Sequence, residues 1–367
     1  MSDSDIQNDL ATSKTGATML ARDQLPATLQ LWRQPLVTDD DDYQEAENAV
    51  WEPLQPLFEE RGYKLWVYNF GSLFSPGPEE SAEVSSGFAY ASPHRGGGEV
   101  PGSVWDIFEF LSMNALCRPA RTKEGRDVVI RVLAVGHRGS DHADILRTIA
   151  RGCLAFYSNN HTIPLLDTVE FEDITFGIFP KVGFRVEEAY GYWAKNSVGD
   201  IVDMLRQCLE DAFKDNFLVQ WHPESLLAGH PAHSMPRVYL TDFEVAILFP
   251  QSATYEDCVA SGIPMGGSFP DDPTRYKRPV PPDVASGETY NAMKLDVWQL
   301  AKSFENFQST IPEIDKLLEC MRDPDSARRP DSALALSDLT DILSAIPLKS
   351  LHIPPVLLNN GPCSIAV

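Results

Sequence analysis

Hydrophobic spacing changes character along this chain. From residue 105 apolar positions come in short alternating runs: residues 106–112, 115–117 and 127–134 fit an antiparallel meander, with Gly125 in the second turn. Residues 161–166 and 174–179 read as fourth and fifth strands, and Ile145, Leu146 and Ile149 between them share one helix face. Beyond residue 197 the period becomes helical. Ser197 and Asp200 form a capping box ahead of Val198, Ile201, Val202, Leu205, Cys208, Leu209 and Ala212. Two further helices are predicted over 295–304 and around Leu339, Ile342, Leu343 and Ile346. A strand-rich part succeeded by a helical part predicts an α+β fold.

The flanks are less regular. Residues 1–45 are polar, acidic and aperiodic and read as a disordered acidic tail. Residues 46–104 read as an extension, in which anchors such as Trp51, Phe58 and Trp66 build a helix and a strand that pack on the strand-rich part. A Gly/Pro/Ser-rich loop completes it over 73–104. The divisions expected are therefore 1–45, 46–104, a strand-rich part over 105–182, a helical part over 183–346 and a tail over 347–367.

Composition narrows the function. With 53 acidic against 30 basic residues the net charge is −23, which argues against nucleic acid and anionic membrane and favours basic protein partners. The Asp39–Asp42 run reads as part of the solvated tail, with a docking site for a basic partner as the alternative. No run is long enough to cross a bilayer and no secretory signal is visible. Six cysteines lie far apart without a CxxC pair, as expected of reduced thiols in the cytoplasm or nucleus. The sequon at Asn160 therefore carries no weight.

Two motifs point to chemistry. Val238-Tyr-Leu-Thr-Asp-Phe-Glu-Val-Ala246 reads as a β-turn-β element that brings Asp242 and Phe243 to a loop. Trp221-His-Pro-Glu-Ser-Leu-Leu227 precedes it. Together they resemble the magnesium-binding Asp-Phe-Gly segment and the end of the catalytic loop of protein kinases, and are most similar to the divergent protein-kinase-like proteins of fungi. The resemblance spans residues 105–346 and implies a two-lobed fold: a small five-stranded antiparallel lobe with one helix, then a larger helical lobe. It also implies ATP and magnesium as cofactors.

Carried over residue by residue, the resemblance puts Arg131 of Val128-Val-Ile-Arg131 at the nucleotide-binding lysine. Asp144, with Asp141 as rival, falls at the helix acid that pairs with that lysine. An Arg131–Asp144 ion pair is expected, with two separate surface charges as the alternative. Asp242 falls at the metal ligand. Gln220 falls at the catalytic base, where an amide cannot take a proton. Ser225 takes the place of the metal-binding Asn, and His222 that of a phosphate-touching Lys, with a plain loop residue as the bland reading. His222, His230 and His233 form a loose cluster, not expected to bind metal. Residues 110–117 lack the glycines of a phosphate-covering loop. Glu244 replaces the final glycine of the Asp-Phe-Gly segment and is expected to turn toward solvent. Asp283 and Arg329 are expected to form the buried ion pair that closes the activation segment. Asp296 is expected to hold the catalytic loop from its helix, and residues 247–279 to form a mobile Pro/Gly-rich segment.

Kinase shape with altered reactive groups implies a pseudokinase: an interaction or scaffold module with weak or absent ATP and magnesium binding. The alternative is an atypical kinase phosphorylating protein Ser/Thr, with Arg131 on phosphate, Asp242 on magnesium and a substitute base such as His222. A binding protein unrelated to kinases is the third reading.

Overall fold

The computed structural model describes residues 21–34, 43–69, 72–74, 109–110, 112, 114–157, 159–182, 184–185, 197–211, 216–220, 237–250 and 252–358. The first of these segments corrects the expectation of a disordered tail through residue 45. Thr28 caps a one-turn helix, α1 (Leu29–Arg33), by accepting from the Leu31 amide. Trp32 of α1 is fully buried, edge-on to Trp51 and Phe176 with ring centroids 5.8 and 6.2 Å away. A single turn is too short to show periodicity, and tertiary burial of Leu29 and Trp32 orders it instead.

Two helices come next, α2 (Tyr43–Trp51) and α3 (Gln55–Glu60), and then strand β1 (Tyr63–Leu65). β1 is the edge of a five-stranded sheet of order β1-β5-β6-β8-β7, formed with β5 (Cys117–Thr122), β6 (Asp127–Val135), β7 (Asp167–Phe171) and β8 (Ile174–Pro180). Every pairing in it is antiparallel. Three short strands, β2 (Val67–Asn69), β3 (Ser72–Phe74) and β4 (Glu109–Phe110), make a separate sheet. Of the expected strand over 106–112, the described residues Glu109–Phe110 form β4, outside the main sheet, while 106–108 and 111 lie outside the described residues. The expected strand over 161–166 is replaced by β7, with only Thr162 bridging to Leu240. Pro164 lacks the N–H that a ladder position needs, whereas Asp167–Phe171 pairs with β8 along its whole length.

Side chains alternate across β6 as a strand requires. Val128, Ile130 and Val132 face an aromatic core with Trp32, Trp51, Phe58 and Phe176. A buried ion pair, Arg118 to Glu47 at 3.0 Å, ties α2 to β5 behind that core. The opposite face of the sheet meets α4 (Ser140–Ile149), which enters between β6 and β7. Gly139 starts α4 at φ 89°, where a Cβ would lie 2.1 Å from the Leu133 carbonyl oxygen, so only glycine fits the turn.

The rest of the chain is mainly helical. β9 (Phe184–Arg185), α5 (Val198–Asp211), β10 (Phe217–Gln220) and β11 (Arg237–Leu240) come first. β12 (Val259–Ser261), α6 (Pro282–Ala285), β13 (Thr289–Asn291) and α7 (Ala292–Ser303) succeed them, then β14 (Phe307–Gln308), α8 (Pro312–Met321), α9 (Ser332–Ala345) and β15 (Val356–Leu357). The capping box at α5 forms in both directions, Ser197 N to Asp200 at 2.8 Å and Asp200 N to Ser197 Oγ at 3.3 Å. Its stripe from Val198 to Leu209 is buried against Phe217, Val219, Leu300 and Leu339. That core is continuous with Leu133, Ile145, Leu146 and Phe179 under the main sheet. The architecture is mixed α+β, and among the described residues no helix is long and apolar enough to cross a membrane.

Candidate functional site

Arg131 projects from the helix-facing side of β6, since its neighbours Ile130 and Val132 face the aromatic core. Asp242 arrives from the end of β11. The ladder from β10 ends there: the Thr241 amide donates to the Asn216 carbonyl at 2.7 Å, and Asn216 Nδ2 to the Asp242 carbonyl at 3.0 Å. Phe243 is buried, and Asp242 Oδ1 accepts from the Glu244 amide at 3.1 Å, a tight Asx turn that sends the Glu244 side chain back toward Arg131. No strand forms after the turn in 244–250, so the β-turn-β element has only its first strand.

The result is a buried ion-pair cluster. Arg131 Nη2 lies 3.1 Å from Asp242 Oδ2 and 2.5 Å from Glu244 Oε1. The Glu244 side chain is 2% exposed, which corrects the expectation that it turns to solvent. Its Oε2 accepts from the Ser268 amide at 2.9 Å and the Ser268 hydroxyl at 2.5 Å, and lies 3.7 Å from Arg33 Nη1. Arg33 comes from α1, donates to Ser268 Oγ at 2.8 Å and stacks 3.7 Å over the Phe269 ring. Arg138 secures the same segment through the carbonyls of Gly267 and Phe269 and the Asp271 carboxylate. Residues 266–271, expected from the sequence to be mobile, are therefore clamped between the sheet and α1.

Charge and burial work against each other here. Burial pushes the Asp242 carboxyl up, but Arg131 and then His142 pull it down further, to about 2. Arg131 is held above its ordinary value, burial being outweighed by Asp242 and Glu244. Burial, with Arg131 adding to it, lowers His142 to about 4, so the imidazole is neutral near pH 7.

Other expected residues fall elsewhere. Asp144 does not meet Arg131: its side chain is 68% exposed and pairs with Arg147 at 3.0 Å. Asp141 is also exposed. His142 is the α4 residue that faces the cluster, being 2% exposed with a ring nitrogen within 4.8 Å of the Asp242 and Glu244 carboxylates. The sequence held a signal for it, because His142, Ile145, Leu146 and Ile149 lie at i, i+3, i+4 and i+7 on one face. Arg33 and Ser268 left no comparable signal.

Gln220 is a strand residue of β10, paired with Arg237. It sits three positions beyond the Phe217–Leu240 pair, so it lies at the far end of the ladder from Asp242, about 10 Å along the strand. His222, Ser225, His230 and His233 lie outside the described residues. Asp283 and Arg329 do not close into an ion pair. Arg329, 2% exposed, donates from Nε to the Asp323 carbonyl at 3.1 Å and from Nη1 to the Lys294 carbonyl at 2.9 Å. Asp283 Oδ1 and Arg329 Nη2 have no hydrogen-bond partner among the described residues. Asp283 still acts on Arg329 through space. Asp296 lies on α7, where burial alone raises its carboxyl well above the ordinary range.

His142, Asp242 and Glu244 offer one nitrogen and two carboxylates, a donor set suited to a divalent cation. Arg131, however, stands on both carboxylates and already supplies the countercharge. The magnesium polyphosphate that the kinase resemblance implies does not fit this arrangement. Its metal and its phosphates would compete for the same Arg131–Asp242 contact, and Glu244 adds a repelling charge. No protein-family model matches this chain, and no curated protein matches it.

Proposed function

We propose that this chain is a two-lobed protein-kinase-like protein that works as an interaction or scaffold module, with weak or absent ATP binding and little or no phosphotransfer. The order of elements supports the reading: a five-stranded antiparallel sheet with α4 directly after β6, then a mainly helical part. So does the meeting of Arg131 with Asp242 at 3.1 Å, since the resemblance assigns both residues to one nucleotide site.

One observation carries the loss of activity. The guanidinium that would draw a polyphosphate is buried and matched by two carboxylates, so little positive charge remains to attract one. With a net charge of −23, the partners suited to such a module are basic protein surfaces.

Thermal unfolding of the full chain in millimolar ATP and magnesium tests this, alongside Asp242→Asn and a phosphotransfer assay. A ligand of the folded state raises stability by RT ln(1 + [L]/Kd), so even modest affinity registers. No magnesium-dependent shift and no transfer are expected. A shift lost in Asp242→Asn, together with phosphate transfer by the wild type, would establish the atypical kinase instead.

A further inference from the structure

The donors around Glu244 have a chemistry of their own. Its two carboxylate oxygens receive Arg131 Nη2 at 2.5 Å, the Ser268 amide at 2.9 Å and the Ser268 hydroxyl at 2.5 Å, with Arg33 Nη1 at 3.7 Å. Two guanidiniums, a backbone N–H and a hydroxyl converging on one planar anion form the donor set of an oxyanion receptor. The receptor is shaped as well as charged. Gly267 lies at φ 54°, and a Cβ there would stand 2.8 Å from both Glu244 Cβ and Oε2, so the backbone approaches the carboxylate as closely as glycine permits. Ser268 is 0% exposed, and its amide is aimed inward by the Arg138 contacts on either side.

We propose that Arg131, Arg33 and Ser268 form a carboxylate-binding pocket which the chain fills from within, Glu244 being its resident ligand. Shape fixes the ligand class. The donors are divided between the two oxygens of a planar anion, Arg131 on Oε1 and the Ser268 amide and hydroxyl on Oε2, with Gly267 closing over it. A small carboxylate reproduces those two oxygens in one plane, which a tetrahedral phosphate does not. The pocket is defined by these contacts alone and stands whether or not the chain is kinase-like.

The test is chemical rescue in the full chain. Thermal unfolding of wild type, Glu244→Ala and Glu244→Ala/Arg131→Met is measured in formate, inorganic phosphate and chloride at equal ionic strength. Glu244→Ala should melt lower than wild type and regain roughly 3 °C or more in saturating formate. The gain in formate should exceed that in phosphate, while wild type and the double variant should not respond. Should Glu244→Ala fail to fold, Glu244→Asp serves, because its shorter side chain leaves part of the pocket free for formate. Absence of formate-specific stabilisation in the folded variant, an equal response in wild type, or stabilisation by phosphate but not formate would overturn the assignment.

Discussion

Replacing Arg131 with Met removes the charge from the centre of the cluster while keeping much of the side chain's apolar bulk. Asp242 and Glu244 would then face each other with only Arg33, 3.7 Å from Glu244, as a nearby cation, Glu244 being 2% and Asp242 16% exposed. Breaking a buried pair by deleting one partner costs about 3–5 kcal/mol, because a desolvated charge is left behind. The pH dependence gives an independent handle. In the wild type Asp242 lies at about 2 against an ordinary 3.8, so its contribution is present above about pH 4 and is lost as pH falls toward 2. That displacement amounts to about 2 kcal/mol. Without Arg131 the largest downward pull on Asp242 goes, and burial is opposed only by His142, the Glu244 amide and Arg33, so the Asp242 carboxyl moves up. The cost of Arg131→Met relative to wild type should therefore shrink as pH falls from 7 to 5. Urea unfolding at pH 7 and pH 5 measures both effects. Adding Glu244→Gln to Arg131→Met should cost far less than the sum of the single changes, with a coupling of about 1–3 kcal/mol. A loss below about 1 kcal/mol for Arg131→Met, additive with Glu244→Gln and indifferent to pH, would overturn this account of the cluster.

Two further outcomes are expected. Trp32→Ala should destabilise the chain by about 3–5 kcal/mol in urea unfolding, since the indole is fully buried; a change near zero would return α1 to a free tail. Asp296 has a raised folded-state pKa, so stability should rise as pH falls through that value, and its ionised form costs stability near pH 7. Asp296→Asn should therefore be at least as stable as wild type at pH 8 and flatten the profile of Tm against pH; a clear loss at pH 8 would show that the ionised carboxylate holds structure in place.

Features legible in the chain alone are local ones. The α5 stripe with its reciprocal Ser197–Asp200 cap, strand β6 after the turn at Gly125, and the helices around residues 295–304 and 339–346 all arise from spacing and capping within a few residues, whereas the strand expected over 115–117 meets β5 only at Cys117. Arg131 and Asp242 could be named as candidates because their flanking strand patterns were visible. Which charges meet is a matter of packing. Arg131 and Glu244 are 113 positions apart, and Ser268 and Arg33 are 235 apart, so no local pattern links them. Asp144 lost to His142 through a rotation of α4 that the apolar stripe already implied. Asp283 fell short of Arg329, and Glu244 turned inward, for a different reason. A charged side chain settles where its desolvation is offset by a partner, and the distant strands, turns and helices that deliver the partner fix that position only once they have packed.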